Sequence, residues 1–384
     1  MTIFRAGRLF DGVTVRNSHD LVVEDGVVAS VRPREYSGSE KIIDLSENAL
    51  IAPGLIDLQA NGAAGLLLNE APELATIDAM CRAHMAVGTT ALLPTLITSD
   101  RETTRKAVAA AIEAARKSIP GFAGLHLEGP HLDPKRKGAH DPALIRPMQA
   151  DDLELLLGAV RQLPTLLVTL APEAATGQQI RALRQGGAVI ALGHTNTGIE
   201  AAKTAFAAGA STVTHLFNAM SQIGNREPGL VGAALQQDPV FAGVIADGVH
   251  VHPANIALAA KCMTGNAGGV VLVSDAMACF GTTTTTFSLN GRNVTRKDGV
   301  LRLADGTLAG ADLDLPTAIR NYANMSGLGL TASLTAATAN PARAIDRFPG
   351  LGSLEFGQSA SFVSLDPNLN VTGVWFNGKP VTRH

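Results

Sequence analysis

The chain has 384 residues, of which 46% are hydrophobic and 17% are charged, and its formal net charge is −3. This composition is typical of a globular protein with a large apolar core, and it gives no basic balance that would favour nucleic acid as a partner. No apolar stretch is long enough to span a membrane, the N-terminus lacks the layout of a signal peptide, and three scattered cysteines suit a reducing compartment. We therefore expect a cytoplasmic protein with neither nucleic acid nor membrane as a partner.

The first predicted element in the chain is a β-hairpin. Apolar residues at 21–23 and 27–28 flank Asp25-Gly26, a dipeptide that favours tight hairpin turns. Further on, short apolar or β-branched runs alternate with Ala-rich segments of helical periodicity, such as 107–116 and 199–208. The eight runs lie at about 50–58, 88–94, 122–128, 165–170, 187–193, 210–215, 241–247 and 269–275.

This alternation predicts the fold. Strands that alternate with helices form parallel sheets through right-handed crossovers, and eight such strands predict a (β/α)8 TIM-like barrel of the α/β class. A doubly wound open sheet is the alternative, but it normally carries a Gly-rich phosphate-binding loop after its first strand. The sequence Gly-Ala-Ala-Gly at 62–65 matches that loop poorly, so the barrel is favoured.

The remainder of the chain is β-rich, then helical, then β-rich again. Two hairpin turns, at Asn290-Gly291 and Asp298-Gly299, predict a β excursion over the barrel mouth at 287–310, and helices are expected at 313–325 and 334–345. Because 360–379 resembles the N-terminal hairpin region, the simplest topology pairs the two chain ends. We predict a small β-sandwich domain from 1–51 and 347–384, with a catalytic barrel at 52–346 inserted between them.

The polar residues that end the eight runs are the candidates for chemistry, because the carboxyl ends of barrel strands form the active face. They are Gln59, Asn61, Thr95, Glu128, Glu173, His194, His215, Asp247, His250 and Asp275. Among them, Glu128, His194 and His215 are the best metal set, since one carboxylate and two imidazoles commonly bind zinc or iron(II) and leave a position open for water. Each residue alone is equally well explained by structural hydrogen bonding; the three together favour a metal.

Asp275 and His126 have different predicted roles beside this set. A carboxylate that closes an apolar run is unfavourable unless it is paired or functional, so Asp275 is a candidate to take a proton from water and pass it to a leaving group. Capping of the next segment or pairing with a lysine is the alternative for Asp275. His126 shares a strand face with Glu128 and is interpreted as a partner that orients a metal ligand, although a ligand or a core histidine fits the same spacing.

Two basic elements are candidates for holding an anion. The loop after the third run contains the basic residues at 135–137 and His140, and Arg226 follows the sixth run. A solvated charge run is the simplest interpretation of 135–137. His140 and Arg226 are more specific candidates. For Arg226 the reason is that a guanidinium group binds phosphate in a bidentate manner.

Several motifs together resemble the N-acetylglucosamine-6-phosphate deacetylases of the amidohydrolase superfamily, nearly from end to end. They are PGLIDLQANG at 53–62, HLEGP at 126–130, GHT at 193–195, THLFNAM at 214–220, DGVH at 247–250, SDA at 274–276, GTLAG at 306–310 and NPA at 340–342. The resemblance implies hydrolysis of N-acetyl-D-glucosamine 6-phosphate to D-glucosamine 6-phosphate and acetate, in amino-sugar catabolism and recycling.

The resemblance also implies roles for individual residues. Glu128, His194 and His215 would hold one divalent metal ion, with zinc favoured over iron(II) or another metal, and Asp275 would be the catalytic acid and base. Substrate contacts would come from His140, Asn218, the Ala219 backbone, Arg226, His250 and the Leu308 backbone. A homodimer is implied, with Arg226 reaching the neighbouring site.

Gln59 and Asn61 separate this family from its relatives. The wider superfamily places a His-x-His pair there to hold a second metal, and neutral amides bind zinc poorly. We therefore expect one metal and a vacated second-metal position, which argues against a dihydroorotase or hydantoinase type. Two alternatives remain: an N-acetylgalactosamine-6-phosphate deacetylase, and a non-catalytic amidohydrolase-like binding protein, which would be expected to lack ligands or the acid.

Overall fold

A computed structural model describes residues 1–35 and 41–382; residues 36–40 and 383–384, which belong to the predicted terminal domain, lie outside the described residues. The N-terminal segment is built of short strands: β1 (Thr2–Arg5), β2 (Arg8–Phe10), β3 (Val15–Asn17), β4 (His19–Glu24), β5 (Val27–Pro33), β6 (Lys41–Asp44) and β7 (Leu50–Pro53). The predicted hairpin is confirmed, because β4 and β5 pair antiparallel around Asp25-Gly26. Both turn residues have the positive φ that this dipeptide favours.

The middle of the chain alternates strands and helices, with a short 3-10 helix at Pro134–Arg136. The elements are β8 (Leu55–Ala60), β9 (Gly62–Ala63), β10 (Leu66–Leu67), α1 (Leu74–Ala86), β11 (Thr89–Ile97), α2 (Arg101–Arg116), β12 (Leu125–Glu128), α3 (Ala150–Val160), β13 (Leu166–Leu170), α4 (Gly177–Gly186), β14 (Val189–Leu192), α5 (Ile199–Ala208), β15 (Thr212–Val213), α6 (Gly229–Gln236), β16 (Phe241–Val244), α7 (Pro253–Met263) and β17 (Gly269–Leu272).

The last part of the chain contains a second group of strands and three helices in the described residues. They are β18 (Thr286–Leu289), β19 (Arg292–Lys297), β20 (Val300–Leu303), β21 (Leu308–Ala311), α8 (Leu315–Ser326), α9 (Gly329–Ala337), α10 (Ala339–Ala344), β22 (Phe362–Leu365), β23 (Val371–Phe376) and β24 (Lys379–Pro380). Within the part of the chain that the structure describes, no helix combines the length and the apolar character needed to cross a bilayer.

The predicted barrel is confirmed. Strands β8, β11, β12, β13, β14, β15, β16 and β17 form one eight-stranded sheet in that order, with parallel neighbours throughout. The segment after β17 closes the barrel against the end of β8: Ala60 and Ala276 form a parallel bridge, and the amide of Asp275 donates to the carbonyl oxygen of Gln59 at 2.9 Å. Every residue of these eight strands is buried, as expected of a parallel sheet covered by helices.

Two predicted elements are divided in the structure. The run at 50–58 becomes β7 and β8, which separate at Pro53-Gly54, because proline lacks an amide hydrogen and a Cβ on Gly54 would lie 1.9 Å from Thr90 Oγ1. The helix expected at 334–345 becomes α9 and α10, which meet at Thr338 with φ −133°. Pro341 has no amide hydrogen to donate to the carbonyl oxygen four residues earlier. The helix is therefore interrupted at Thr338.

The two chain ends form a common sheet, as predicted. Its order is β24-β23-β22-β7-β2-β3, and β22 pairs antiparallel with β7. A second sheet, β5-β4-β1-β6, shares an apolar core with the first. In that core the rings of Phe362 and Trp375 stack with centroids 4.7 Å apart, and Phe4 meets both rings edge-on.

The β excursion over the barrel mouth is also confirmed. Strands β18 to β21 form an antiparallel sheet with tight turns at Asn290-Gly291 and Asp298-Gly299. The amide of Asn290 donates to Glu70 Oε1 at 2.8 Å, and the Arg292 guanidinium donates to the Ala139 carbonyl oxygen. These contacts hold the excursion against loops that follow barrel strands, so it forms part of the wall of the active face.

Candidate active site

Three potential metal ligands converge at the carboxyl ends of neighbouring barrel strands. Glu128 is the last residue of β12, and His194 and His215 each follow the end of β14 and β15 by two residues. Glu128 Oε1 lies 3.1 Å from His194 Nε2 and 3.0 Å from His215 Nε2, and the two Nε2 atoms are 3.0 Å apart. All three side chains are buried. One ligand atom from each residue therefore faces a common point.

The backbone at these positions is unusual. His194, His215 and Asp275 have φ values of +48°, +31° and +49°, in the left-handed region that residues with a Cβ seldom adopt. Such a conformation costs on the order of 1–3 kcal/mol per residue and persists where the surrounding structure imposes it. Here each residue lies two or three positions after the end of a strand, and its side chain lines the shared cavity.

The ionised Glu128 carboxylate and the tautomer of His194 suit a cation. The His194 Nδ1–H donates to the Arg136 carbonyl oxygen at 2.8 Å, which leaves the Nε2 lone pair directed at the common point. Burial raises the pKa of Glu128, but the adjacent His194 and His215 rings outweigh it and hold the pKa well below its usual range. Burial lowers the pKa of His215, yet the adjacent Glu128 carboxylate produces a net rise. The donor set and its charge thus fit a divalent metal ion.

Asp275 lies beside this set and is held by two amides. Asn61 Nδ2 donates to Asp275 Oδ1 at 2.7 Å, and Gln59 Nε2 lies 3.3 Å from the same oxygen and from both oxygens of Glu128. Burial and then the negative charge of Glu128 raise the pKa of Asp275 to about 6. A carboxyl group with that pKa exchanges a proton readily near neutral pH.

His140 is fixed as a neutral hydrogen-bond donor. Its Nδ1 lies 2.7 Å from Thr98 Oγ1 and accepts a long hydrogen bond from the Thr98 amide, so the ring hydrogen is on Nε2. That Nε2 is 4.0 Å from Glu128 Oε2, and the His140 and His194 ring centroids are 4.2 Å apart. Burial holds the pKa of His140 well below its usual range. His140 therefore lies next to the metal set and not at a distance from it.

His250 is oriented by a carboxylate three residues earlier. Its Nδ1–H donates to Asp247 Oδ2 at 2.6 Å, while Asp247 Oδ1 accepts the amides of Val249 and His250 at 2.8 Å each. Burial raises the pKa of Asp247, but the hydrogen bond from His250 leads a set of opposing contacts that lower it overall. The ionised carboxylate fixes the ring so that Nε2 remains available to the cavity.

A cavity of about 380 Å³ joins these groups. Of the residues predicted as site residues, those that line it are Asn61, Glu128, His140, His194, His215, Asn218, Ala219, His250, Asp275 and Leu308. Gln59 is buried behind Asp275. Arg226 is exposed and is not among the lining residues.

The cavity also contains groups that the sequence did not place in the site. Lys135 and Arg136 line it, although a solvated charge run was the simplest interpretation of that loop. The signal was present in the sequence, since the loop follows a strand that ends in Glu128, but charge alone does not tell which side chains turn inward. Ile97, Ile245, Met277 and Leu289 supply apolar wall.

His126, within β12, and Glu173, after β13, have supporting positions outside the metal set. His126 Nδ1 lies 3.1 Å from Thr95 Oγ1 and its Nε2 lies 2.7 Å from Thr169 Oγ1, so its ring spans the barrel interior. Burial lowers the pKa of His126 to about 4, which keeps the ring neutral. Glu173 accepts a hydrogen bond from Thr195 Oγ1 at 2.5 Å and thereby holds the residue that follows His194.

Comparison with known proteins places this geometry in context. The amidohydrolase family matches residues 50–381 of the chain. The N-acetylgalactosamine-6-phosphate deacetylase of Shewanella sp. (strain ANA-3) is 41% identical over 360 residues, which cover 93% of this chain and 90% of that protein. The N-acetylglucosamine-6-phosphate deacetylase of Haemophilus influenzae is 33% identical over 363 residues, or 94% and 93% of the two chains.

A solved structure gives the same picture. The crystal structure of N-acetylglucosamine-6-phosphate deacetylase from Pasteurella multocida superimposes with a TM-score of 0.94 at 32% sequence identity. The superposition covers 99% of each chain. The similarity therefore extends over the terminal sheets as well as the barrel.

Proposed function

The chain belongs to the amidohydrolase family and, within it, to the amino-sugar-6-phosphate deacetylases, and on this basis we propose that it hydrolyses N-acetyl-D-glucosamine 6-phosphate to D-glucosamine 6-phosphate and acetate. The observation that carries the proposal is the convergence of Glu128, His194 and His215 beside Asp275 in one cavity. The reaction belongs to the recycling of amino sugars, and we place it in the cytoplasm.

We infer that Glu128, His194 and His215 hold one divalent metal ion, with zinc favoured by the two imidazoles and one carboxylate and iron(II) as the alternative. When bound, such an ion supplies Lewis acidity for an amide carbonyl and for water. Gln59 and Asn61 offer amide nitrogens to the nearby carboxylates, so the position of a second metal is filled by hydrogen-bond donors.

The proton transfers are assigned to Asp275. As water adds to the amide carbonyl carbon, the Asp275 carboxylate takes one proton from that water. It then passes the proton to the amide nitrogen as the C–N bond breaks, which releases the amine and acetic acid, which ionises to acetate, and regenerates the Asp275 carboxylate. A pKa of about 6 suits both steps, since it allows the group to be ionised before the reaction and acidic enough to protonate the leaving nitrogen.

His140 is assigned to the carbonyl oxygen. Its Nε2–H lies beside the metal set, because the Thr98 amide donates to Nδ1 and thereby fixes the tautomer. Because burial disfavours the imidazolium form, His140 is a donor that does not depend on pH in the working range. A preorganised donor of this type stabilises the negative charge that develops on the oxygen.

Substrate binding is assigned to other residues that line the cavity. Asn218, the Ala219 backbone, His250 and the Leu308 backbone face the space in which a sugar phosphate would lie. Arg226 is exposed on its own chain, so we propose that it serves the neighbouring site of a homodimer. Binding energy from a phosphate distant from the amide then holds the acetamido group in position.

The galactosamine epimer is a second candidate substrate. It is favoured by one observation, the 41% identity to an N-acetylgalactosamine-6-phosphate deacetylase. The two sugars differ only in the orientation of the 4-hydroxyl, so the same catalytic groups serve either one.

The test is acetate release from a panel of N-acetyl sugar phosphates, with metal analysis of the same sample. We expect turnover of the 6-phosphates, one metal per chain, and loss of turnover in Glu128→Gln together with loss of the metal. Comparison of kcat/KM for the two epimers assigns the substrate. Absence of acetate from every sugar after zinc is added would refute the proposal and favour a binding protein.

A further inference from the structure

We propose that Gln59 and Asn61 are positioning residues that hold one oxygen of Asp275 so that the other faces the reacting water. We call this pair the amide clamp. The inference rests on the proposed deacetylase function, in which Asp275 carries the proton. In this proposal the two amides do more than occupy a vacated metal position, because they orient the group that transfers the proton.

The hydrogen bonds to the Asp275 carboxylate are one-sided. Asn61 Nδ2 is 2.7 Å from Oδ1, and Gln59 Nε2 is 3.3 Å from the same atom. In the described residues, no hydrogen bond reaches Oδ2. Asp275 lines the cavity, so Oδ2 is the oxygen left for a proton from water.

The clamp also separates two acidic groups that repel each other. Glu128 and Asp275 are both buried, and the negative charge of Glu128 acts directly on Asp275. Gln59 Nε2 lies 3.3 Å from both Glu128 oxygens and from Asp275 Oδ1. Its amide nitrogen has two hydrogens, so it donates to both carboxylates at once. In this way a neutral group bridges two anions and fixes their spacing.

The backbone beneath the clamp makes its geometry rigid. The Asp275 amide donates to the Gln59 carbonyl oxygen at 2.9 Å, and the Asn61 amide donates to the Ala276 carbonyl oxygen at 2.7 Å. The Ala60 amide donates to Thr95 Oγ1 at 3.0 Å. The backbone that carries the clamp is therefore hydrogen-bonded directly to the backbone that carries Asp275. The amides and the carboxylate are unable to move apart independently.

This arrangement predicts a specific kinetic signature. If Asn61 acts through Asp275, its loss lowers kcat and leaves KM nearly unchanged, because the sugar phosphate is bound elsewhere in the cavity. A hydrogen bond to a buried carboxylate is strong enough for a loss of about 10- to 100-fold in kcat. The loss disappears when Asp275 can no longer transfer the proton.

The experiment is a double-mutant cycle in the full-length enzyme. Asn61→Leu is compared with wild type, and Asn61→Leu/Asp275→Asn with Asp275→Asn. Asn340→Leu is the matched control: it removes an amide that donates at 2.8 Å to the Val270 carbonyl oxygen, at the far end of the strand that leads to Asp275. Metal content and thermal unfolding are measured for every variant.

We expect Asn61→Leu to lower kcat about 10- to 100-fold alone but less than about 3-fold in the Asp275→Asn background. Metal content should stay at one per chain, and Asn340→Leu should lose stability without loss of kcat. Equal factors in both backgrounds, or an unchanged kcat in Asn61→Leu, would overturn the clamp. A wild-type enzyme that releases no acetate would instead refute the proposed function, so the two failures are distinct.

Discussion

Asp57 is a buried carboxyl group at the seam where the barrel closes, and its ionisation has a measurable effect on stability. Its Oδ1 accepts the amides of Gln59 and Ser274 at 3.2 Å each, so it ties β8 to the residues that follow β17. Oδ2 is buried and has no partner among the described residues. Burial raises the pKa of Asp57 from 3.8 to about 7, against hydrogen bonds that lower it.

The sign of the effect follows from proton binding. Between pH 3.8 and about 7 the folded protein keeps a proton on Asp57 that the unfolded chain has released. Stability from this group therefore falls as pH rises through that window, by about 1.4 kcal/mol per pH unit, and is constant above it. Between pH 5 and pH 8 the loss amounts to roughly 3 kcal/mol.

Asp57→Asn removes the ionisation and keeps the side-chain oxygen that accepts both amides. We expect the free energy of unfolding of this variant, relative to wild type, to increase by roughly 3 kcal/mol between pH 5 and pH 8. Urea unfolding of both proteins is measured at the two pH values after metal removal, so that metal binding does not contribute. Asp298→Asn, in an exposed hairpin turn, is the control and should show no pH-dependent difference. A difference between Asp57→Asn and wild type that is the same at both pH values would refute the reasoning.

Three further outcomes concern catalysis and binding. Asp275→Asn should lower kcat by about 10² to 10⁴-fold with metal content retained, and turnover like that of wild type would remove Asp275 from the mechanism. Arg226→Ala should raise KM for the phosphorylated sugar without affecting unphosphorylated N-acetylglucosamine; equal losses on both would contradict a phosphate role. Asp247→Asn removes the 2.6 Å hydrogen bond that orients His250. It should raise KM about tenfold or more with a smaller change in kcat, and an unchanged KM would mean that His250 is oriented by other contacts.

The periodicity of the sequence was sufficient for the fold because every barrel strand is buried on both faces and hence reads as a continuous apolar run. The periodicity did not show where tertiary contacts interrupt a predicted strand or helix. The separation of β7 from β8 at Gly54 arises from its close approach to Thr90, and the break between α9 and α10 arises at Thr338. Contacts between residues that are distant in the sequence do not show in the local periodicity from which the elements were predicted.

The candidate site was predictable to the extent that its residues end strands. Glu128, His194 and His215 lie at such ends, and in the structure their ligand atoms lie within 4.8 Å of one another. Loop residues were harder, because a loop's sequence does not state which way its side chains turn. Arg136 was interpreted as solvated but lines the cavity, whereas Arg226 is exposed on its own chain, so its role at a neighbouring site stays a prediction.

The pairing of β22 with β7 also has a consequence for biosynthesis. On the ribosome, β7 emerges before the barrel with one hydrogen-bonding edge open, and its partner β22 emerges only after the whole barrel has been made. The terminal domain is thus completed after the barrel that interrupts it, and an unpaired edge is exposed throughout translation. Chains that terminate before residue 362 retain this open edge permanently, which makes incomplete translation products of this protein prone to associate through β7.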